Sequence, residues 1–203
     1  GYPSLQKSLQ ELIKNKLTTV QRLDLSNDYI CNGYTLKGVL KSDMENIRAT
    51  MEKINYSTFE DVVNNIFEAK RIYIIGLRSS MALAEFLGFY LNVILQNVKT
   101  VGYGISDIFE EMINIGEGDL VIGIGFPRYA NRTIDVLSFA QDRGATIVAL
   151  TDSIISPLAQ RADYALIVQS NMASFVDSLV APLSVINALL IAVGLRQKES
   201  VST

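Results

Sequence analysis

The sequence predicts an α/β fold: a three-layer, doubly wound domain around a five-stranded parallel sheet, preceded by a helical N-terminal segment. Three observations lead there. From residue 71 onward, short apolar runs alternate with helical segments, the pattern of βα units around a parallel sheet. The chain has 203 residues, 49% of them hydrophobic, enough for one such domain with a sizeable core and a smaller helical piece. Glycines punctuate the junctions: Gly144 fits a helix C-cap, and Gly116 and Gly118 precede an apolar run.

In order along the chain, Ser4 is placed to cap a helix with Leu5, Leu9, Leu12 and Ile13 on one face and Lys7 and Glu11 on its polar side. Residues 24–33 are polar and aperiodic, as in a linker. A second amphipathic stretch carries Leu36, Val39, Leu40, Met44, Ile47, Met51 and Ile54. Ser57 and Glu60 have capping-box spacing and open a third helix bearing Phe59, Val62, Val63, Ile66 and Phe67. Strands are expected at 71–75, 98–101, 120–124, 146–150 and 165–168. Helices are expected at about 80–95, 107–113, 131–143, 157–161 and 175–195. Pro182 falls inside the last of these, so that helix starts there or kinks.

Composition excludes several functions. The net charge of −3 offers no basic face for nucleic acid. With no histidine and a single cysteine, Cys31, a zinc site of the usual ligands is not expected, and the commonest general acid–base is missing. One cysteine forms no internal disulfide and fits a reducing cytoplasm. The start shows no signal-peptide pattern, and the longest apolar run, 187–194, is too short to span a bilayer, so no membrane partner is expected.

In a doubly wound sheet, ligands bind beyond the carboxyl ends of the strands where strand order reverses. For a flavodoxin-like order that point lies between the first and third strands. The loops there are Gly76-Leu-Arg-Ser-Ser80 and Gly125-Phe-Pro-Arg-Tyr-Ala-Asn-Arg-Thr133. Each runs into a helix N-terminus, where free N–H groups and the helix dipole attract phosphate. Ser79, Ser80 and Thr133 offer hydroxyls, and Arg78 and Arg128 offer charge. Singly, each has a plainer explanation: a helix N-cap for the hydroxyls, a tight turn for Gly76, solvated charge for the arginines. Their coincidence at the switch point raises an anion site to an equal standing with those plainer explanations. The Gly76 loop lacks the second and third glycines of a dinucleotide fingerprint, because Arg78 and Met81 stand there, and no Walker A sequence occurs.

Arg71-Ile-Tyr-Ile-Ile-Gly-Leu-Arg-Ser-Ser80 resembles the first strand and Gly-x-Gly-x-Ser phosphate loop of SIS (sugar isomerase) domains. The stretch 120–133, with Phe126-Pro-Arg-Tyr129, resembles a variant of their third strand and Ser-x-Ser-Gly-x-Thr loop. Ala149-Leu-Thr-Asp-Ser153 and Ser156-Pro-Leu-Ala159 are similar to the segment after the fourth strand. Residues 1–9 resemble the helix that follows the recognition helix in RpiR-type bacterial transcriptional regulators. The resemblance implies a remnant of a helix-turn-helix domain at 1–23, a linker and helical segment at 24–58 and a phosphosugar-binding SIS domain at 59–196. It implies a sugar phosphate bound by Gly76, Arg78, Ser79, Ser80, Arg128, Tyr129 and Thr133, with no cofactor. Operator DNA is reached only through the missing part of the helix-turn-helix, whose absence accounts for the missing basic face. Gly125 and Ala130 stand where many members have serine, which leaves the arginines to compensate or the cavity to take another anion.

The leading expectation is a cytoplasmic sensor that binds a sugar phosphate without turning it over. The alternatives are a phosphosugar isomerase, for which Glu85, Glu110 and Glu111 are the available bases, and a purely structural dimerisation module. The last helix carries Val180, Leu183, Ile186, Leu189, Leu190 and Val193, more apolar residues than one sheet-facing stripe requires. Core packing explains them, or a subunit interface in the dimers and tetramers typical of SIS domains.

Overall fold

The computed structural model describes residues 35–102 and 107–201. The helix from Ser4, the linker at 24–33 and the helix-turn-helix remnant at 1–23 lie outside them. The helical segment before the sheet comprises α1 (Thr35–Lys53) and α2 (Tyr56–Glu68). The remaining elements are β1 (Ile72–Gly76), α3 (Ser80–Leu95), β2 (Val98–Val101), α4 (Ile108–Glu111) and β3 (Leu120–Ile124). After them come α5 (Asn131–Gln141), β4 (Thr146–Thr151), a 3-10 turn (Ala159–Arg161), β5 (Tyr164–Ile167) and α6 (Val180–Val201). The sheet has five strands in the order β2-β1-β3-β4-β5, every pair parallel. This is the flavodoxin-like arrangement the sequence predicts.

The central strands read as unbroken apolar runs because both of their faces are covered. Every residue of β1 and of β3 is buried. Side chains alternate between two cores. Ile72, Ile74, Leu120 and Ile122 pack with Val62 and Ile66 of α2, Leu87 and Leu91 of α3, and Ile186 and Leu189 of α6. Tyr73, Ile75, Val121 and Ile147 pack on the other side with Met112 and with Val136 and Leu137 of α5. At the foot of the sheet Arg71 grips the buried carboxylate of Asp119, with Nε to Oδ1 at 3.0 Å and Nη2 to Oδ2 at 2.6 Å, tying the starts of β1 and β3 together.

Several local expectations are corrected. Helix α2 is capped by Asn55, whose Oδ1 accepts from the Thr58 N–H at 3.1 Å, so Ser57 and Glu60 form no capping box. Asn is as good a cap as Ser, and here it comes first. A capping box forms instead at α4, between Asp107 and Glu110. Helix α6 starts at Val180, which leaves 175–179 outside it and puts Pro182 in the first turn, where a missing N–H costs nothing. Residues 157–161 contribute only the 3-10 turn. Helix α6 is, by length and composition, long and apolar enough to cross a membrane, contrary to the expectation from the 187–194 run. Its apolarity serves the core: Ile186, Leu189, Leu190 and Val193 are buried against the sheet, whereas Val180, Ile191 and Leu195 are exposed.

Helix α1 forms where expected, but its apolar stripe faces outward. Leu36, Leu40, Met44 and Met51 are exposed, whereas the buried residues are Asn46 and Thr50. The polar side is the buried one because main-chain groups of residues 169 and 171 satisfy it.

Candidate functional site

β1 ends at Gly76 and β3 at Ile124, neighbours in the sheet, and their loops leave the carboxyl edge at the point where strand order reverses. Between the loops lies a cavity of about 140 Å³ lined by Arg78, Ser79, Ser80, Arg128 and Thr133, together with Asp177. Five of the seven residues expected at the site are thereby brought together. A second hollow of about 410 Å³, bordered by Asn65, Gln141, Asp163 and Tyr164, lies at the opposite edge by the starts of β4 and β5. It contains no arginine.

The local chemistry follows from how each loop meets its helix. Ser80 is the first residue of α3 and Thr133 the third of α5, and both are buried. Ser79 stands at the N-cap of α3 but makes no capping bond; its hydroxyl donates instead to Asp177 Oδ2 at 2.7 Å. Simple capping therefore does not account for Ser79. Ala130 is the N-cap of α5 and has no side-chain acceptor, so no side chain caps the first turn of that helix.

Arg78 and Arg128 both have left-handed backbones, with φ of 57° and 69°. Non-glycine residues reach this region at a cost of roughly 1–2 kcal/mol each. Arg78 stands where the SIS pattern has its second glycine, and its backbone lies in the region that favours glycine. The two loops are joined across the cavity, Arg78 Nη1 donating to the Arg128 carbonyl at 3.2 Å. Arg128 Nη2 lies 3.8 Å from Asp177 Oδ1.

Gly76 and Tyr129 are outside the cavity lining. A Cβ on Gly76 would sit 2.5 Å from the Ser80 carbonyl oxygen, so the glycine permits β1 to approach the first turn of α3. Tyr129 donates from its hydroxyl to Asp152 Oδ1 at 2.6 Å. Burial, reinforced by that carboxylate, raises its pKa well above the ordinary phenol value. Tyr129 thus fixes the 125–130 loop to the end of β4. Gly125 has its own reason for lacking a side chain, since a Cβ there would lie 2.7 Å from Cδ2 of the buried Leu158.

The glutamates weighed as bases have other positions. Glu85 is exposed on α3, Glu110 caps α4 and Glu111 pairs with Lys99 at 3.1 Å. Asp177 is the site residue that sequence reasoning missed. Placing 175–179 in a helix concealed it; the usable signal was Pro182, which marks a first turn and so frees the residues before it.

A family profile described as the SIS domain matches residues 65–192. The chain is similar to a helix-turn-helix-type transcriptional regulator of Haemophilus influenzae, 29% identical over 142 residues, or 70% of this chain and 48% of that protein. It spans about half the length of the first curated regulators it matches. Among solved structures, the sugar isomerase domain of an RpiR transcription factor from Sphaerobacter thermophilus is 31% identical with a TM-score of 0.78, covering 82% of this chain and 93% of that one. The Vibrio vulnificus NanR protein complexed with ManNAc-6P shares the fold at 19% identity and a TM-score of 0.70, over 92% of this chain and 73% of that one. Sheet order, the paired loops at the switch point and the match over 65–192 agree: the chain belongs to the SIS domain family, among the sugar isomerase domains of RpiR-type transcription factors.

Proposed function

We propose that this chain is the effector-sensing domain of a bacterial transcriptional regulator, and that its cavity binds the phosphate of a phosphorylated sugar without turning the sugar over. The observation that carries this reading is the convergence of two helix N-termini, the Ser79, Ser80 and Thr133 hydroxyls and two arginines on one small cavity at the switch point. Uncapped N–H groups and aligned peptide dipoles favour a doubly charged anion, and arginine adds charge-assisted bonds. A sugar phosphate as ligand is supported by the fold shared with NanR, whose complex contains ManNAc-6P.

Sensing is favoured over turnover by the carboxylates. Moving a proton between sugar carbons needs a base within hydrogen-bond reach of the substrate. Glu85, Glu110 and Glu111 lie outside the cavity lining, and Asp177, which does line it, faces Ser79 and Arg128 with its two oxygens. In the whole regulator, operator DNA is contacted through a helix-turn-helix domain that precedes this one. The outward stripe of α1, with Leu36, Leu40, Met44 and Met51, together with Ile191 and Leu195 of α6, suits pairing with further copies of the chain in a homodimer or tetramer.

The test is a thermal-shift panel of sugar phosphates beside their unphosphorylated sugars, followed by product analysis. One or a few phosphates are expected to raise the melting temperature, since a ligand at a hundred times its Kd stabilises by about 2.7 kcal/mol. The free sugars should do nothing, and the ligand should be recovered unchanged. Conversion of the ligand, or equal shifts by free sugars, contradicts the proposal.

A further inference from the structure

The segment between β5 and α6 touches both the cavity and helix α1. At one end it reaches the cavity, where Asp177 accepts from Ser79 Oγ at 2.7 Å and faces Arg128 Nη2 at 3.8 Å. Next to it, Ser178 Oγ donates to Asp43 Oδ1 on α1 at 2.6 Å. At the other end Asn46 of α1 brackets Asn171, donating to its carbonyl at 2.9 Å and accepting from its N–H at 3.1 Å. The Gln169 N–H donates to Thr50 Oγ1 at 2.9 Å. Asp43, Asn46 and Thr50 are spaced i, i+3 and i+7, one stripe of α1. That helix follows directly on residues 1–34.

We infer that residues 169–178 form a strap that reports occupancy of the cavity to α1, with the Asp177 carboxylate as the built-in anion that a phosphate ester displaces. This rests on the cavity being the phosphate site proposed above. Ser79 and Arg128 are the groups a phosphate would engage, and Asp177 holds both. A carboxylate and a phosphate dianion in one cavity of about 140 Å³ repel each other, so entry of the second expels the first. The phosphate prevails by its greater charge and its three acceptor oxygens. Displacing Asp177 pulls on Ser178 and on the Asn171 and Gln169 contacts, so cavity and helix share one two-state element. Linkage makes the coupling reciprocal: loosening the strap at α1 strengthens phosphate binding.

The test uses the full chain, with inorganic phosphate as the probe, titration calorimetry for affinity and hydrogen exchange read at the Gln169 and Asn171 amides. Saturating phosphate should speed exchange at both amides several-fold in the parent. Asp177→Asn and Asp177→Ala should bind phosphate about tenfold tighter or more and exchange fast at both amides without phosphate. Asp43→Ala, remote from the cavity, should also tighten binding. Parental or weaker affinity in these variants, or amides indifferent to saturating phosphate, overturns the strap. The double variant Ser80→Ala, Thr133→Ala separates this outcome from failure of the site itself. If the double variant loses phosphate while the Asp177 and Asp43 variants match the parent, the site stands and the strap does not. If it binds like the parent, the site is elsewhere. Absence of phosphate binding in both parent and Asp177→Ala contradicts both readings.

Discussion

Replacing Gly76 with alanine is expected to lift the first turn of α3 off β1. The added Cβ would stand 2.5 Å from the Ser80 carbonyl oxygen, 3.0 Å from its carbon and 3.2 Å from Ala84 Cβ. Ordinary contacts need roughly 3.5 Å or more, so about 1 Å must open. A main-chain carbonyl inside a helix does not rotate away. Overpacking costs about 1–3 kcal/mol, and a backbone obstacle points to the upper half of that range. For a chain of this size each kcal/mol corresponds to about 2–4 °C, which puts the loss at roughly 4–12 °C in a calorimetric melt. Phosphate affinity should fall with it, because Ser79 and Ser80 ride on the displaced turn. Gly38→Ala is the control: among the described residues, nothing beyond its chain neighbours and its own helix backbone lies within 4 Å of the added Cβ, and it sits inside α1. It should raise stability by up to about 1 kcal/mol. A Gly76→Ala protein that melts within about 1 °C of the parent refutes the close-approach argument.

Three further outcomes are expected. Gly125→Ser should destabilise by about 1–3 kcal/mol through its clash with Leu158, and combining it with Leu158→Ala should cost clearly less than the sum of the single changes; additive costs in the double-mutant cycle would count against that contact. Arg128→Gln should weaken sugar-phosphate binding by roughly ten- to hundred-fold, the equivalent of one charge-assisted bond, and an unchanged titration would return Arg128 to the solvent. Tyr129 keeps its proton in the folded state above the pH at which an unfolded tyrosine loses it, so the unfolded state binds fewer protons there and stability falls as pH rises past about 10. Tyr129→Phe should show a shallower alkaline decline in chemical denaturation, and equal slopes would mean that its burial is not what holds the proton.

Strand positions and sheet order were legible because buried parallel strands leave a local signature: unbroken apolar runs such as Ile72–Gly76 and Leu120–Ile124, each followed by a helical pattern. The switch point follows from that order, and with it the place of Ser80 and Thr133. The illegible features depend on contacts distant in sequence. The inward side of α1 is polar because Asn46 and Thr50 meet main-chain groups 125 and 119 residues away, and no periodicity reveals such partners. Asp177 was hidden by a helix start placed five residues early. Gly76 and Gly125 look alike in sequence, yet one makes room for a carbonyl and the other for a leucine. Asn55 and Ser57 are caps of equal quality, and spacing alone does not choose between them.

The most direct measurement compares the parent with Ser80→Ala, Thr133→Ala in a calorimetric titration with whichever sugar phosphate stabilises the parent most. Both side chains are buried at the ends of the two loops that line the cavity, and the substitutions remove the Ser80 hydroxyl and the Thr133 hydroxyl and methyl group. Binding is expected to disappear while the melting temperature of the unliganded protein stays near that of the parent. Parental affinity in the double variant would contradict it.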